Sequence, residues 1–346
     1  MCPWGGVAWA RMPWVPCGRM RIVVTGSAGH LGEALVLMLR NAGRDVLGID
    51  RRASRLTDAV GSIVDRPFVR ECLRGAGAVA HAATLHKPHV ATHAAQAFVD
   101  TNVTGTLVLL EEAVSAAVGC FVFTSTTSAF GAALEPAPPD PAAWITEEVV
   151  PVPRNIYGVT KVAAESLCEL AHRRQGLPCV VLRTSRFFPE EDDRAEIRRA
   201  YPDDNAKVNE FLYRRVEIED VVSAHCLALE RGPAIGFGRY IVSATTPFTP
   251  ADLGDLRRDA PRVVGRLFPG YEETYARLGW RMFPGIDRVY VNARARQDLG
   301  WRPRHDFGAV LARLQSGADW RSPLAQAIGA KGYHEGTFAE GPYPVD

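Results

Sequence analysis

The sequence predicts an α/β fold: a doubly wound, mostly parallel sheet with a small C-terminal lobe. Three observations predict it. Short β-branched runs alternate with helical periods along most of the chain. The first β–α–β unit spans about 30 residues, the length a right-handed parallel crossover needs. And the first strand runs straight into glycines that open a helix.

The elements follow in order. Residues 21–25 (RIVVT) read as a buried parallel strand. Residues 30–41 carry Leu31, Ala34, Leu35, Met38 and Leu39 at helical spacing, closed by Gly43, and 45–49 (DVLGI) form the second strand. A third strand over 60–64, a helix over 67–74 and a fourth strand over 78–81 come next. A long Ala- and Leu-rich helix is expected over 94–118 and a fifth strand over 120–124 (CFVFT). The proline-rich stretch 132–153 reads as an irregular loop. A helix over 155–174, a strand over 179–183, a helix over 220–230 and a strand over 239–242 continue the alternation. The domain plan is a dinucleotide-binding unit over 20–186, then a mixed substrate lobe over 187–320 into which elements of the first unit return at 220–243, and a tail over 321–346. Residues 1–19, with three Trp and three Pro and no period, read as a disordered leader; Pro and Arg interrupt any signal-peptide core.

The bulk numbers narrow the function. The 346 residues are 47% hydrophobic and 23% charged, ample for a sizeable core. A net charge of +1 argues for neither a nucleic-acid nor an anionic-membrane partner. No apolar run approaches the ~18–20 residues of a membrane helix. Seven scattered cysteines with no C-x-x-C pair read as reduced thiols in a cytoplasmic protein, with no disulfide frame and no zinc site.

Thr25-Gly26-Ser27-Ala28-Gly29-His30-Leu31-Gly32 places three glycines between a strand and a helix. Gly26 permits the tight turn, Gly29 lets backbone approach a pyrophosphate, and Gly32 allows close helix–strand packing. The helix then offers free N–H groups and its positive dipole end to the phosphates. Asp50, at the end of the second strand, can accept both hydroxyls of an adenosine ribose and would repel a 2′-phosphate, which favours NAD over NADP. Arg51 and Arg52 follow at once and read either as 2′-phosphate ligands or as solvated surface arginines.

Tyr157-Gly158-Val159-Thr160-Lys161 sets a tyrosine and a lysine at i, i+4 on one helix face. A phenol with pKa near ~10 is a poor base at neutral pH; an adjacent ammonium and a positive nicotinamide ring favour its phenolate. Ser125-Thr126-Thr127-Ser128 follows the fifth strand at the sheet edge where ligands bind, and reads as a hydroxyl partner for a reacting alcohol or carbonyl, or as a Ser/Thr turn. The Y-x-x-x-K pair alone arises often as a surface pair, so the glycine turn and Asp50 are what turn it into a candidate site.

Together TGSAGHLG, Asp50, HAA at 81–83, NVTGT at 102–106, FTSTTSAFG at 123–131, YGVTK and the late G-W-x-P at 300–303 resemble the extended short-chain dehydrogenase/reductase family, of the NAD-dependent epimerase/dehydratase type. The resemblance spans roughly residues 20 to 303. It implies a Rossmann-type fold, NAD as cofactor, Thr126 as hydroxyl partner, Tyr157 as acid/base and Lys161 as its activator. It implies a cofactor site of Gly26, Gly29, His30, Leu31, Gly32 and Asp50 with Ser62 and Ile63 near the adenine. Ala82, Ala83, Thr84, Asn102, Tyr157, Lys161 and Ser185 complete that site along the cofactor. A homodimer is common in the family, built on helices such as 94–118 and 155–174.

Three departures bear on substrate. Dehydratases of the family carry an acidic pair right after the active-site Thr; Thr127 and Ser128 stand here, which argues against that dehydration mechanism. The epimerases place an Asn where Arg186 stands, and a phosphate-binding Arg where Tyr213 stands. The stretch between Pro189 and Asp220 is also short. These departures point to a smaller or differently held small-molecule substrate, with Arg186 taking an anionic group and His86, Thr126 and Arg214 as further substrate contacts. Arg214 and Arg215 read equally as salt-bridge partners of Glu217 or Glu219. The run His86, His89, His93 has ligand-like spacing, but no carboxylate or cysteine joins it, so no metal is expected.

The function this supports is an NAD-dependent oxidoreductase or epimerase acting on a hydroxyl or keto group of a sugar-like molecule. A dehydrogenase or reductase of a non-sugar alcohol or ketone uses the same residues. A non-catalytic dinucleotide-binding regulator is the third reading; an intact Thr126, Tyr157 and Lys161 argue against it.

Overall fold

The computed structural model describes residues 20–332 and residue 338. The leader expected over 1–19 and most of the tail beyond residue 332 lie outside the described residues. Seven parallel strands form the main sheet in the order β3-β2-β1-β4-β5-β7-β8. They are β1 (Arg21–Thr25), β2 (Val46–Asp50), β3 (Ala59–Val60), β4 (Ala76–His81), β5 (Cys120–Thr126), β7 (Cys179–Thr184) and β8 (Phe237–Val242). The order reverses between β1 and β4, the switch point at which doubly wound sheets open a crevice at the C-terminal strand ends. Register puts Thr25 opposite both Ile49 and His81, so the ends of β1, β2 and β4 finish level and carry Thr25, Asp50 and His81 to that crevice.

Burial explains why these runs are strands. Val23 and Val24 of β1, Phe121, Val122 and Phe123 of β5 and Val180, Val181 and Leu182 of β7 are wholly buried, as helices on both faces of a parallel sheet require. On one face lie α1 (His30–Asn41), α8 (Ile218–Ile235) and α14 (Pro323–Ile328), together with Trp301. On the other lie α2 (Arg66–Leu73), α4 (Gly105–Ser115) and α5 (Ile156–Gln175). Each fully buried Leu, Val or Phe contributes about 1.5–3 kcal/mol of transfer free energy. The helix ends follow their sequence signals: Asn155 caps α5 by accepting the Gly158 N–H at 3.1 Å, and Gly176 closes it at φ +72°.

Several expectations change; the strand expected over 60–64 is only Ala59–Val60. The helix expected over 94–118 is three pieces: α3 (Ala95–Phe98), a π-helical turn Val99–Thr104, and α4. The wide turn sends Asn102 inward, where it is buried, and such bulges recur at functional sites. The proline-rich stretch is not all loop, because β6 (Ala143–Ile145) pairs in parallel with β9 (Arg288–Tyr290). That pairing spans 145 positions of sequence and no local pattern announces it.

The C-terminal lobe has its own core. It is built around α7 (Asp203–Glu210), α9 (Leu253–Arg258), α10 (Ala260–Leu267), α11 (Tyr271–Leu278) and α13 (Phe307–Gln315). The short helices α6 (Ala195–Ala200) and α12 (Ala293–Asp298) complete the described α-helices. The tail expected from residue 321 is structured at its start: Ser322 caps α14, and Leu324 is fully buried on the α1–α8 face.

Trp301 staples this last segment to the sheet. Its ring is fully buried, and Nε1 donates to the Asp220 carbonyl at 3.1 Å and to Ser223 Oγ at 2.9 Å. The Asp220 carboxylate in turn accepts the N–H groups of Arg304 and His305 at 2.9 Å each. Trp301→Ala is expected to lower the unfolding free energy by about 3–5 kcal/mol, read by urea unfolding followed by circular dichroism. A loss below about 1 kcal/mol would show that the turn can collapse around the missing ring.

Candidate functional site

The glycine turn closes on itself and on β4. Gly26 has φ +75°, and a Cβ there would stand 2.8 Å from the Ala83 nitrogen; at Gly32 it would stand 1.9 Å from the Gly26 carbonyl oxygen. Only glycine fits either place. The turn is also tied to β2: Ala28 N–H donates to Asp50 Oδ2 at 3.0 Å and Arg52 N–H to Oδ1 at 2.9 Å. A carboxylate has about four acceptor positions, so two remain for hydroxyls of a ligand. The residues present therefore fit a dinucleotide: a cradle that a Cβ would fill, a helix start beside it, and an acceptor at the end of β2.

Behind the turn runs a buried chain of hydrogen bonds. The Ala82 and Ala83 N–H groups donate to Thr25 Oγ1 (3.1 and 3.0 Å), so the Thr25 hydroxyl donates to His81 Nδ1 at 2.7 Å. Nε2–H of His81 then faces Thr106 Oγ1 at 3.0 Å, and that hydroxyl donates to the Asn102 carbonyl at 2.6 Å. The Asn102 amide donates to Thr160 Oγ1 at 3.0 Å and to the Leu85 carbonyl at 2.8 Å, while its oxygen accepts Leu85 N–H at 2.8 Å. Burial, and after it the Lys161 charge, push His81 well below the ordinary imidazole pKa, consistent with the neutral tautomer this chain needs.

Thr160 delivers the chain to the first turn of α5, which carries Tyr157. The Thr126 hydroxyl, at the end of β5, is hydrogen-bonded to the Tyr157 phenol and also accepts the Ser128 N–H at 3.0 Å. Burial pushes the phenol up to about 12, against which the Thr126 bond pulls it down. Lys161 is buried one turn on, its Nζ 4.0 Å from the centre of the Phe123 ring; burial pushes it down to about 7 and Glu165 opposes that. Glu165 is itself buried and bound to Arg183 (2.7 Å) and Ser125 Oγ (2.5 Å). A phenol in the cleft wall with a hydroxyl beside it is an arrangement that can move a proton to or from an alcohol oxygen; the Lys161 amine lies behind it, over Phe123.

A cleft of about 1680 Å³ runs over these groups, larger than the ~300–1,000 Å³ of a single drug-sized pocket. Gly26, Gly29, His30, Leu31, Gly32, Asp50, Ser62 and Ile63 line one end, with Ala82, Ala83 and Thr84 beyond them. Thr126, Tyr157, Ser185, His86, Arg186 and Arg214 line the other. Two expected cofactor residues do not line it: Asn102 and Lys161 lie behind the wall, Asn102 holding α5 and the 84–85 backbone.

The charges at the substrate end differ from expectation. Arg186 meets Asp192 (2.5 Å), Glu210 (3.0 Å) and Asp193 (3.7 Å), so it does not wait as a bare anion receptor. Arg214 and Arg215 pair with Glu210 (2.8 and 3.1 Å), not with Glu217 or Glu219. Despite burial, which would raise it, the three arginines hold the Glu210 carboxyl down at about 2. Lys87 pairs with Asp193, tying the loop after β4 to the C-terminal lobe. Tyr213, standing where the resemblance expects an Arg, is a half-buried residue lining the cleft, whose phenol pKa is raised by desolvation. His86, His89 and His93 stack edge to face at 4.9 and 5.0 Å, with His86 6.4 Å from the Tyr157 ring. The links His81–Thr106 and Glu165–Ser125–Arg183 went unread in the sequence. Their partners lie 25 and 18–40 positions apart, and only the HAA and NVTGT motifs hint at the first.

A family model described as the NAD dependent epimerase/dehydratase family matches residues 22–239. A dTDP-glucose 4,6-dehydratase of Streptomyces antibioticus is 29% identical over 342 residues, covering 87% of this chain and 92% of that protein. A UDP-glucose 4-epimerase of Streptomyces lividans is 25% identical, covering 87% and 96%. Among solved structures, a short-chain dehydrogenase/reductase superfamily protein from Agrobacterium tumefaciens with bound NAD is 25% identical, covers 89% of this chain and 99% of that one, and superposes with a TM-score of 0.62.

Two outcomes follow from this geometry. Gly32→Ala must force the Gly26 carbonyl away, so it is expected to abolish dinucleotide binding measured by calorimetry while Tyr157 and Thr126 stay in place; unchanged affinity would show that the turn is not the binding loop. Folding stability is expected to fall as the pH drops from about 6.5 towards 4. Burial keeps His81 low and pushes His30 and His225 down to about 4, so the unfolded chain takes up protons that the folded one refuses. Each such histidine contributes up to about 1.4 kcal/mol per pH unit. His305 opposes them: burial lowers it, but its Asp220 bond lifts it above the ordinary value. Equal urea stability near pH 7 and near pH 5 would contradict this account.

Proposed function

Because the chain belongs to the NAD-dependent epimerase/dehydratase family, we propose that its Tyr157, Thr126 and Lys161 are the proton-transfer group, the orienting hydroxyl and the activating amine of the reaction. The protein is an NAD-dependent, sugar-modifying enzyme of the oxidoreductase and epimerase class. The observation that carries the residue assignment is the Thr126–Tyr157 hydrogen bond in the wall of the cleft that also holds the glycine turn and Asp50. NAD, when bound, supplies the hydride acceptor and a positively charged ring near the phenol.

The chain's own residues do the rest. Asp50 holds ribose hydroxyls with its remaining acceptor positions, and the first-turn N–H groups of α1 take phosphate. Thr126 donates to or accepts from the substrate oxygen and steers it to the Tyr157 hydroxyl. The phenol, raised by burial, needs positive charge beside it to work as a base near neutral pH, and Lys161, one turn on along α5, is the residue of this chain that would supply it. Thr127 and Ser128 follow Thr126 where a dehydrating acid would be required, so epimerisation or simple oxidation of a hydroxyl is favoured over loss of water. The substrate is a sugar-like small molecule, and nucleotide sugars are the precedent among the relatives. With Arg186, Arg214 and Arg215 already facing Asp192 and Glu210, any anionic group must compete with carboxylates for them.

The domain division at about residue 186, a cytoplasmic setting and a homodimer belong to the same proposal. Leu107, Val159 and Leu170, on α4 and α5, are 38–48% exposed, and these helices would supply the dimer face. Among the described residues no helix is long and apolar enough to cross a membrane.

Tyr157→Phe is expected to lower kcat by about 10²–10⁴-fold while leaving NAD affinity within about two-fold, in an assay that follows absorbance at 340 nm and sugar isomerisation together. Retained turnover in that variant would remove Tyr157 from the chemistry.

A further inference from the structure

The segment after α14 returns to the dinucleotide end of the cleft. Lys331 and Gly332 line it beside Gly29 and His30. Lys331 Nζ donates to Glu33 Oε2 at 2.6 Å, and the Arg55 guanidinium donates to Oε1 at 2.7 Å. Glu33 sits in the first turn of α1 and its side chain is buried. A carboxylate there opposes the positive helix end that a phosphate needs. Two cations on one carboxylate reverse that, leaving a surplus positive charge where the turn would meet an anion.

A second, independent observation lies next to it. His30 Nδ1 is buried and has no hydrogen-bond partner, although its ring is fixed by stacking on Phe187 at 5.9 Å and 10°. Burial, then the Lys331 charge, push this imidazole down to about 4. A buried, unpartnered ring nitrogen at the start of α1 calls for a polar partner that the chain itself does not supply.

We propose that Lys331 is a phosphate ligand of the bound dinucleotide, so that the C-terminal segment forms one wall of the cofactor site. The inference rests on reading residues 26–32 as the dinucleotide loop. One of the three ammonium donors goes to Glu33, and another meets a pyrophosphate oxygen as a charge-assisted donor. Ligand recognition there extends beyond the strand ends of the sheet to a residue about 300 positions from the glycine turn.

Calorimetry on the full chain tests it with NAD, ADP-ribose and adenosine against wild type, Lys331→Met, Lys331→Arg and Glu33→Gln. Lys331→Met is expected to weaken NAD and ADP-ribose roughly ten-fold or more and to leave adenosine unchanged. Lys331→Arg should recover most of the loss, and Glu33→Gln, which removes only the opposing charge, should bind as tightly as wild type or more so. Salt should weaken NAD binding less in Lys331→Met than in wild type. If Lys331→Met binds NAD like wild type, or if adenosine weakens equally, or if Glu33→Gln weakens NAD as much as Lys331→Met, Lys331 is a staple for the segment and the proposal falls. A wild-type chain that binds none of the three ligands would instead overturn the dinucleotide reading on which it rests.

Discussion

The hydrogen-bond chain from Thr25 through His81, Thr106 and Asn102 to Thr160 holds the site together. It starts at the glycine turn, crosses beneath the 82–85 backbone and ends on the helix that carries Tyr157. Every member is buried, so each unsatisfied link would cost about 1–3 kcal/mol, and the chain therefore has one arrangement. That arrangement sets the cofactor end and the tyrosine end of the cleft at a fixed separation. The π-helical turn belongs to the same constraint, because an ordinary α-helix through 99–104 would rotate Asn102 away from its four partners.

A second constraint sits at the other end of the cleft. Arg186, Arg214 and Arg215 gather around Glu210 and Asp192, and Lys87 reaches across to Asp193 from the loop after β4. Buried charges persist only when paired, and here the pairing joins the sheet unit to the C-terminal lobe. The same groups that would name a charged substrate thus already serve the fold. This is why the substrate end departs from the family pattern at Arg186 and Tyr213 while the cofactor end keeps it at the glycines and Asp50.

The C-terminal segment reaches the dinucleotide end by a different route. Trp301 anchors its approach on α8, Leu324 buries it against α1, and Lys331 brings it to Glu33. A stretch that composition marks only as a tail becomes part of the wall of the cleft, since the α1–α8 face needs a further apolar cover there.

By itself the sequence determined the parallel α/β architecture, the glycine turn, Asp50 and the Tyr157–Lys161 helix. Each of these is written in local signals: alternating β-branched and helical periods, glycines that no Cβ can replace, and an i, i+4 pair. It also carried the family resemblance, which the match over residues 22–239 confirms. Only the tertiary structure decided that the helix over 94–118 breaks at a π turn, that β6 pairs with β9, that Arg186 is neutralised by three carboxylates, and that Asn102 and Lys161 stand behind the cleft rather than in it. The reason is physical: these features arise from pairings between residues far apart in the chain, where burial and charge balance, not local propensity, choose the partner.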